Sequence, residues 1–437
     1  MASSGTIGKL PPGPAGPALL QSARYYRDPY GFLRACHEKY GDWFTIRQVP
    51  CGTLVHIAEP AAVRRLFAGD ASHFAGRINA YMEPVLGRGL LLLDGEEHAR
   101  ERRWLAQSLA DARIRSMAGD IGDLALAAVA EWPLGTPIPL RPRLEALALQ
   151  VILRVVFGAA GSARLADLGA LILRLKARDL ATSVMAALPF GLAKWRLSGA
   201  AVRTAEAIDR LIYAELAMRR DGGVPDDGMV ARLLASRPSD ETRGASDRAI
   251  RDHLMTVIFA GHETVATTLA WTFERVTRHA TVMAELEAAV ATGDQAYLEA
   301  VILETMRQRS AIADVARELG EPMEIGGYRL PAGTRVCPAI TLLHMRRDVF
   351  GDPEAFRPSR WLDKGNRADD PAIYLPFGGG IRRCMGAYLA MLEMMTTLRT
   401  IMSRVRVRAP DLQPERGSSN GVTIGPHRGA LVVLEPR

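Results

Sequence analysis

The feature that most constrains the fold is a helical pattern, rich in Ala, Leu and Arg, that runs from residue 60 to about residue 279. Within it, apolar periodicity over residues 251–277 predicts one helix of more than about six turns, capped near Ser246 or Asp247. Short β-prone or turn-rich pieces lie outside it, at 43–47, 53–57, 325–336 and 421–434. We expect a mainly α fold with small β-sheets, in a single domain over residues 1–437.

Composition excludes several classes of protein. The chain has four cysteines, Cys36, Cys51, Cys337 and Cys384, with no close pair, so neither a disulfide framework nor a zinc knot is expected and a reducing cytoplasm suits them. No run of about 18 apolar residues predicts a membrane span, and the proline-rich lead-in, residues 1–20, lacks a signal-peptide or anchor pattern. The net charge is +7, but the basic residues do not form a run with aromatic residues between them. This distribution favours a surface that docks an acidic protein over one that binds nucleic acid.

Cys384 carries the most chemical information. It lies in Phe377-Gly-Gly-Gly-Ile-Arg-Arg-Cys-Met-Gly386, a glycine-rich turn that leads into an apolar helix over residues 387–402. Helix N-termini and cationic side chains favour thiolates, so we expect a low pKa for this thiol. A thiolate presented in this way can hold iron from one side, and haem is the obvious iron carrier. A phosphate cradle is the alternative, but the Gly-Lys-Ser/Thr ending of a P-loop is absent.

The predicted long helix contains Ala260-Gly261-His262-Glu263-Thr264 at its middle. Gly261 and Thr264 are three residues apart and share a face, which Val257 extends. A glycine there costs about 1 kcal/mol relative to alanine, so it provides space for something flat, while the acid and the hydroxyl could relay protons into that space. The alternative is a packing glycine beside a threonine that bonds to its own turn.

Two further groups of charged residues have a structural and a functional interpretation. Glu304 and Arg307 lie three residues apart on a predicted helix, 294–309, and Arg360 follows in a later turn. They form either a surface ion pair or a buried group that fixes the core. His98 and Arg102 lie four residues apart, so they project from one helix face as donors for a dianionic ligand, or they belong to a solvated charged helix.

Together these segments resemble the cytochrome P450 family over nearly the whole chain, which implies the cytochrome P450 fold with a long oxygen-side helix over the haem. Five positions of the family's haem loop match: Phe377, Gly380, Arg382, Cys384 and Gly386. Glu304 and Arg307 match its ExxR pair, and Arg360 the arginine of the following turn. The oxygen-activation motif matches at Gly261, Glu263 and Thr264.

Departures from the family pattern are local. In the turn that carries Arg360, the residue before the arginine is usually acidic in the family, but here it is Ser359. Two prolines are often found after the ExxR pair, and here Arg309-Ser310 replace them. Val265 replaces a frequent second threonine. The geometry near these positions is therefore less well defined by the resemblance.

The resemblance implies a monooxygenase that holds haem b through Cys384 and uses O2 as co-substrate. It places His98, Arg102, Arg317 and Arg382 at the haem propionates, Glu263 and Thr264 in proton delivery, and Glu304, Arg307 and Arg360 in a structural role. Electrons then come from NAD(P)H through a ferredoxin or flavodoxin with its reductase, and we expect a monomer. Candidate docking residues are Arg100, Arg103 and Arg383.

The substrate pocket is predicted to be apolar, which favours a hydrophobic small molecule such as a fatty acid, terpenoid, steroid or polyketide. Its candidate walls, each of which could equally be ordinary core, are Tyr81, Leu86, Met185, Val257, Ala260, Ala311, Val315 and Thr423. Two other functions remain open from the sequence: a haem-thiolate peroxygenase or isomerase, and a haem-binding sensor or carrier.

Overall fold

The computed structural model describes residues 6–7, 10–69, 73–109, 111–158, 163–186, 199–221, 228–236, 246–362 and 370–437. Helices dominate these residues, which confirms the prediction of a mainly α fold. The α-helices are Ala18–Arg27 (α1), Pro29–Tyr40 (α2), Pro60–Ala68 (α3), Glu83–Leu86 (α4), Gly95–Ser108 (α5), Asp111–Ser116 (α6), Ala118–Ala130 (α7), Arg141–Phe157 (α8), Ala163–Ala186 (α9), Gly199–Arg220 (α10), Met229–Ala235 (α11), Asp247–Val276 (α12), Ala280–Thr292 (α13), Gln295–Gln308 (α14), Ile340–Leu343 (α15), Arg347–Phe350 (α16) and Ala387–Arg404 (α17).

The strands form small sheets. They are Thr6–Ile7 (β1), Trp43–Gln48 (β2), Gly52–Ile57 (β3), His73–Phe74 (β4), Pro137–Pro139 (β5), Arg317–Leu319 (β6), Met323–Ile325 (β7), Tyr328–Leu330 (β8), Arg335–Pro338 (β9), Val405–Arg408 (β10), Gly417–Asn420 (β11), Thr423–Pro426 (β12) and Leu431–Pro436 (β13). The largest sheet has the order β2-β3-β9-β6-β4, and smaller sheets join β1-β8-β7, β10-β13-β5 and β11-β12. Only the β3–β9 and β1–β8 pairs among these are parallel.

The predicted long helix is present as α12, which is 30 residues long. The Ser246 hydroxyl accepts a hydrogen bond from the Ala249 amide at 3.1 Å, so the expected cap is in place. Asp294 caps α14 in the same way, by accepting from the amides of Ala296 and Tyr297. Among the described residues, no helix combines the length and the apolar character that crossing a membrane requires.

The chain divides into two compact units. The first comprises Met1–Phe74, Ile114–Glu145 and Thr264–Arg437, and the second comprises Ala75–Arg113 and Ala146–Glu263. The first unit contains the largest sheet and its buried core, whose members include Trp43, Val55, Leu66, Leu319, Val336 and Leu375. Burial of such apolar side chains is the main favourable term in folding.

The second unit is helical among its described residues, and buried charges fasten its helices. Glu215 of α10 pairs with Arg219 one turn later and with Arg164 of α9. On α12, Asp252 accepts the Arg88 amide at 2.9 Å, and Arg251 donates to the Val85 carbonyl. The end of α4 and the residues that follow it are therefore held against the first turns of α12.

The hairpin between β7 and β8 shows why particular glycines are needed. Its two-residue turn is Gly326-Gly327, with φ of 58° and 78°, as a hairpin turn of this length requires. The Trp43 ring lies where a Cβ of Gly326 would be, whereas nothing lies within 4 Å of a Cβ at Gly327. The two glycines therefore share a conformational requirement but differ in packing.

We predict that Gly326→Ala destabilises the protein by about 3 kcal/mol, because left-handed strain adds to a clash with the Trp43 indole. Gly327→Ala, the matched control, has the strain alone and is expected to cost about 1 kcal/mol. Chemical unfolding followed by circular dichroism measures both values. Equal losses in the two variants would contradict the packing role of Gly326.

Candidate functional site

Cys384 lies in a tightly turned loop of the first unit. The Cys384 amide donates to the Phe377 carbonyl at 2.9 Å, and Gly380 has a φ of 65° that allows the chain to reverse. A short 3-10 turn, Gly380–Arg382, follows, and α17 begins at Ala387 with Gly386 before it. The thiol is exposed, whereas Cys36 and Cys337 are buried. Free cysteines are usually buried, so this one is presented for chemistry.

A buried arginine lies beside this loop. The guanidinium of Arg317 is 5.6 Å from the Phe67 ring centroid and 3.4 Å from the Gly379 carbonyl oxygen. Arg317 is 4% exposed, and Arg382 within the loop is half-buried. A side chain at Gly379 would clash with the Phe67 ring, since a Cβ there would lie 2.5 Å from Phe67 Cε2. The loop that carries Cys384 therefore has one arginine, Arg317, beside it and another, Arg382, within it.

Glu304 forms the centre of a buried polar cluster in the same unit. Its carboxylate accepts five hydrogen bonds: two from Arg307, and one each from Arg360 Nε, Trp361 Nε1 and the Arg357 amide, all at 2.9–3.0 Å. Glu304 and Arg307 are both fully buried. The interpretation as a surface ion pair is thus excluded, and the charges are paired in the core.

The two guanidiniums also bind backbone carbonyls. Arg307 donates to His344 O at 3.0 Å and to Pro353 O at 2.8 Å. Arg360 donates to Phe350 O at 3.0 Å. The cluster therefore joins α14 to the loop-rich segment that precedes Cys384.

His344 is a buried polar residue that sequence reasoning missed. Its Nε2 accepts from the Leu375 amide at 2.8 Å, and its Nδ1 lies 3.1 Å from Ser310 Oγ. Burial, and then the charge of Arg307, lower the pKa of His344 to about 3, so the ring is neutral. The only signal in the sequence is a histidine that directly follows the mostly apolar stretch 340–343.

Arg309, at one of the positions where the family pattern often has proline, contacts two aromatic rings. The Arg309 guanidinium lies 5.5 Å from the Tyr30 ring centroid and 5.3 Å from that of Trp271. Such cation–π contacts are worth about 0.5–2 kcal/mol each. Ser359, which stands where the family usually has an acid, is exposed to solvent and is not part of the core.

One face of α12 is accessible in an otherwise mostly buried helix. Val257, Gly261 and Thr264 are half-buried and Ala260 is exposed, at the i, i+3, i+4 and i+7 positions of one stripe. Glu263 is buried, and the Thr264 carbonyl accepts from the Thr268 hydroxyl at 2.9 Å.

Gly261 has a packing role of its own. A Cβ there would lie 2.8 Å from Ile152 Cδ1 of α8, so the glycine admits an isoleucine side chain. The space that the sequence assigned to a flat ligand is filled, in that direction, by Ile152.

His98 and Arg102 lie on α5 in the second unit. His98 is buried and Arg102 is half-buried, so neither belongs to a fully solvated face. Between them, Glu101 binds His253 of α12, with 3.2 Å between Glu101 Oε2 and His253 Nε2. Burial alone would raise the pKa of Glu101, but the His253 contact and then Arg100 bring it below its usual value. The pair fixes α5 to α12.

The predicted pocket walls divide by burial. Tyr81, Ala311 and Val315 are half-buried and keep accessible surface. Leu86 and Thr423 do not: Leu86 is 1% exposed, and Thr423 is fully buried and accepts from the Thr267 hydroxyl. Both side chains are buried here, and their assignment as pocket lining stays a prediction. The side chain of Met185 lies outside the described residues. Arg100, Arg103 and Arg383, the docking candidates, are exposed.

Comparison with known proteins gives a consistent result. The family model described as Cytochrome P450 matches residues 10–433. Cytochrome P450 135B1 of Mycobacterium tuberculosis is 38% identical over 445 residues, covering 99% of this chain and 92% of that protein. Cytochrome P450 135A1 of the same species is 35% identical, covering 100% of this chain and 97% of the relative.

Solved structures share the fold at low identity. The heme domain of cytochrome P450DA has a TM-score of 0.83 at 22% identity, covering 99% of this chain and 98% of that one. Cyanobacterial CYP120A1 with retinoic acid bound has a TM-score of 0.82 at 21% identity, covering 98% of this chain and 99% of that one.

We predict that Glu304→Gln lowers the free energy of unfolding by about 3 kcal/mol or more, because an amide group cannot accept all five donors and leaves guanidiniums unpaired. Glu299→Gln makes the same change at an exposed position of α14 and is expected to cost less than about 0.5 kcal/mol. Guanidinium unfolding measures both. A loss at Glu304 no larger than at Glu299 would contradict the role of the cluster.

Proposed function

Because the chain belongs to the cytochrome P450 family, whose members are haem-thiolate monooxygenases, we propose that Cys384 is its iron ligand and that it oxidises a hydrophobic small molecule. The observation that carries the proposal is the exposed thiol in a glycine-rich loop whose five signature positions match the family. Haem with a thiolate ligand supplies the cleavage of O2 and the insertion of one oxygen atom into the substrate.

The residues present fit such a group. The Cys384 thiol is accessible, and the glycines of its loop allow the backbone to come close to a flat ligand. The buried guanidinium of Arg317 provides a positive charge next to the loop, suited to a propionate. His98, Arg102, Arg317 and Arg382 are the proposed propionate ligands, and Phe377, Gly380 and Gly386 shape the thiolate loop.

The accessible face of α12 is the proposed oxygen side. The Thr264 hydroxyl would hold a water molecule and donate a proton, and the buried Glu263 would resupply it. Gly261 lies on this half-buried face and is proposed to let the helix backbone come close to the bound group, while Ile152 fills the space in the direction of its missing Cβ. Glu304, Arg307 and Arg360 act structurally, since all their charges are satisfied within the core.

The substrate is proposed to be apolar, of fatty acid, terpenoid, steroid or polyketide type. Val257 and Ala260 offer apolar surface on the accessible face of α12, and Tyr81, Ala311 and Val315 also keep exposed area.

Electrons are proposed to come from NAD(P)H through a ferredoxin or flavodoxin and its reductase. Arg100, Arg103 and Arg383 are exposed cations that would steer an acidic partner. A cytoplasmic location is proposed because the four cysteines are free, as is usual in a reducing compartment. The protein is also proposed to be a monomer.

The carbon-monoxide difference spectrum of the reduced protein tests the iron ligand. We expect the Soret band at the thiolate position for the wild type, and at the imidazole position for Cys384→His, because the ligand atom changes from sulfur to nitrogen. Cys51→Ser is the control and should leave the band unchanged. An imidazole-type band in undenatured wild-type protein would refute the proposal.

Thr264→Val is expected to uncouple the reaction: NAD(P)H is consumed, but product per NAD(P)H falls about tenfold, because the proton donor is lost. Thr272→Val removes a hydroxyl from the buried part of α12 and serves as the control. Product and NAD(P)H are measured together. Unchanged coupling, with unchanged peroxide-driven turnover, would favour the peroxygenase alternative.

Reversal of Arg100 and Arg103 to glutamate is expected to slow reduction by the partner at least tenfold and to weaken its salt dependence, since steering depends on charge complementarity. Arg329→Glu with Arg406→Glu changes the net charge equally at other exposed sites. Stopped-flow reduction across ionic strength compares the pairs. Identical rates and slopes for both pairs would refute this docking face.

A further inference from the structure

A chain of hydrogen bonds leads from the buried Glu304 cluster to the loop that carries Cys384. Arg307 Nη1 donates to the His344 carbonyl at 3.0 Å. The side chain of the same histidine accepts the Leu375 amide at 2.8 Å and meets Ser310 Oγ at 3.1 Å. Ser310 in turn donates to the Met306 carbonyl at 2.8 Å. His344 thus has bonds on both sides of its ring and at its backbone.

The partners determine the tautomer of His344. An amide N–H can only donate, so Nε2 accepts from Leu375 and carries no proton. The ring is neutral, so the proton is on Nδ1, and Nδ1–H donates to Ser310 Oγ. Ser310 has one hydroxyl proton, which goes to Met306 O. All donors and acceptors along this path are therefore consistent with one protonation state.

The path continues from Leu375 to the thiol. The Leu375 carbonyl accepts the Gly378 amide at 3.0 Å, which closes a turn over Leu375–Gly378. Within that turn, the Phe377 carbonyl accepts the Cys384 amide at 2.9 Å. The position of the Cys384 backbone thus depends on Phe377, and the position of Phe377 depends on the anchored amide of Leu375.

We propose that His344 and Ser310 are positioning residues, which hold the thiolate loop in register by anchoring the Leu375 amide to α14. This inference rests on the proposed role of Cys384 as the iron ligand. Ser310 occupies one of the positions where relatives often have proline, which has no side-chain hydroxyl, so this chain uses a polar support at that point.

The two ring nitrogens can be replaced separately. His344→Gln places an amide oxygen near the Nε2 position and retains the acceptor for Leu375, whereas His344→Asn reaches only the Nδ1 position and loses it. Ser310→Ala removes the partner of Nδ1–H and leaves the Leu375 bond. Thr341→Val is the matched control, since this nearby buried hydroxyl has no hydrogen bond among the described residues.

Hydrogen exchange of the peptide covering residues 375–386, in the haem-loaded protein, is the primary measurement. We expect His344→Asn to raise exchange about tenfold, equal to about 1.4 kcal/mol. His344→Gln and Ser310→Ala should raise it about threefold, and Thr341→Val not at all. In the reduced carbon-monoxide complex, the fraction of protein whose Soret band is displaced from the thiolate position should follow the same ranking. It should be largest for His344→Asn, smaller for His344→Gln and Ser310→Ala, and unchanged for Thr341→Val.

Several results would overturn the inference. Equal exchange in His344→Asn and the wild type would do so, as would a uniform rise across all peptides, which indicates general destabilisation. If His344→Asn does not fold, the comparison of Ser310→Ala with Thr341→Val decides, and equal exchange in that pair overturns the inference. A wild-type protein without the thiolate band would instead refute the role of Cys384, while the exchange pattern still decides the role of His344.

Discussion

The structure of the first unit depends on a carboxylate that water cannot reach. Moving an isolated charge into a protein interior costs several kcal/mol, so Glu304 is stable only because five donors surround it. Two of its partners are guanidiniums, whose remaining N–H groups bind carbonyls of the segment between α15 and the Cys384 loop. The electrostatic requirement of one residue thereby fixes the path of a long stretch that has little regular secondary structure.

Several helices, turns and loops of the fold could be predicted from residue types and their spacing. The long apolar periodicity defined α12 together with its cap at Ser246, and Asp294 marked the start of α14. The turn-rich piece predicted at 325–336 contains the Gly326-Gly327 turn, where glycine adopts the required dihedral angles easily. The loop around Cys384 was recognisable because five fixed positions rarely agree with a family pattern by chance.

Other parts needed the fold, because they depend on contacts between residues far apart in sequence. His344 takes its role from Ser310 and Leu375, and no local pattern joins these three positions. The packing of Ile152 against Gly261 is of the same kind. The burial of Leu86 and Thr423 was also not predictable, since an apolar or small residue has the same sequence pattern whether it faces a cavity or the core.

The pairing of strands has a consequence for how the chain is made. β5 lies beside β13, and the Trp271 indole of α12 donates to the Ile424 carbonyl at 2.7 Å. The core around these residues therefore stays incomplete until the last strands have left the ribosome, because its early segments have no partners before then. The loop that carries Cys384 is translated after most of the first unit, so its thiol is positioned only shortly before that unit can close.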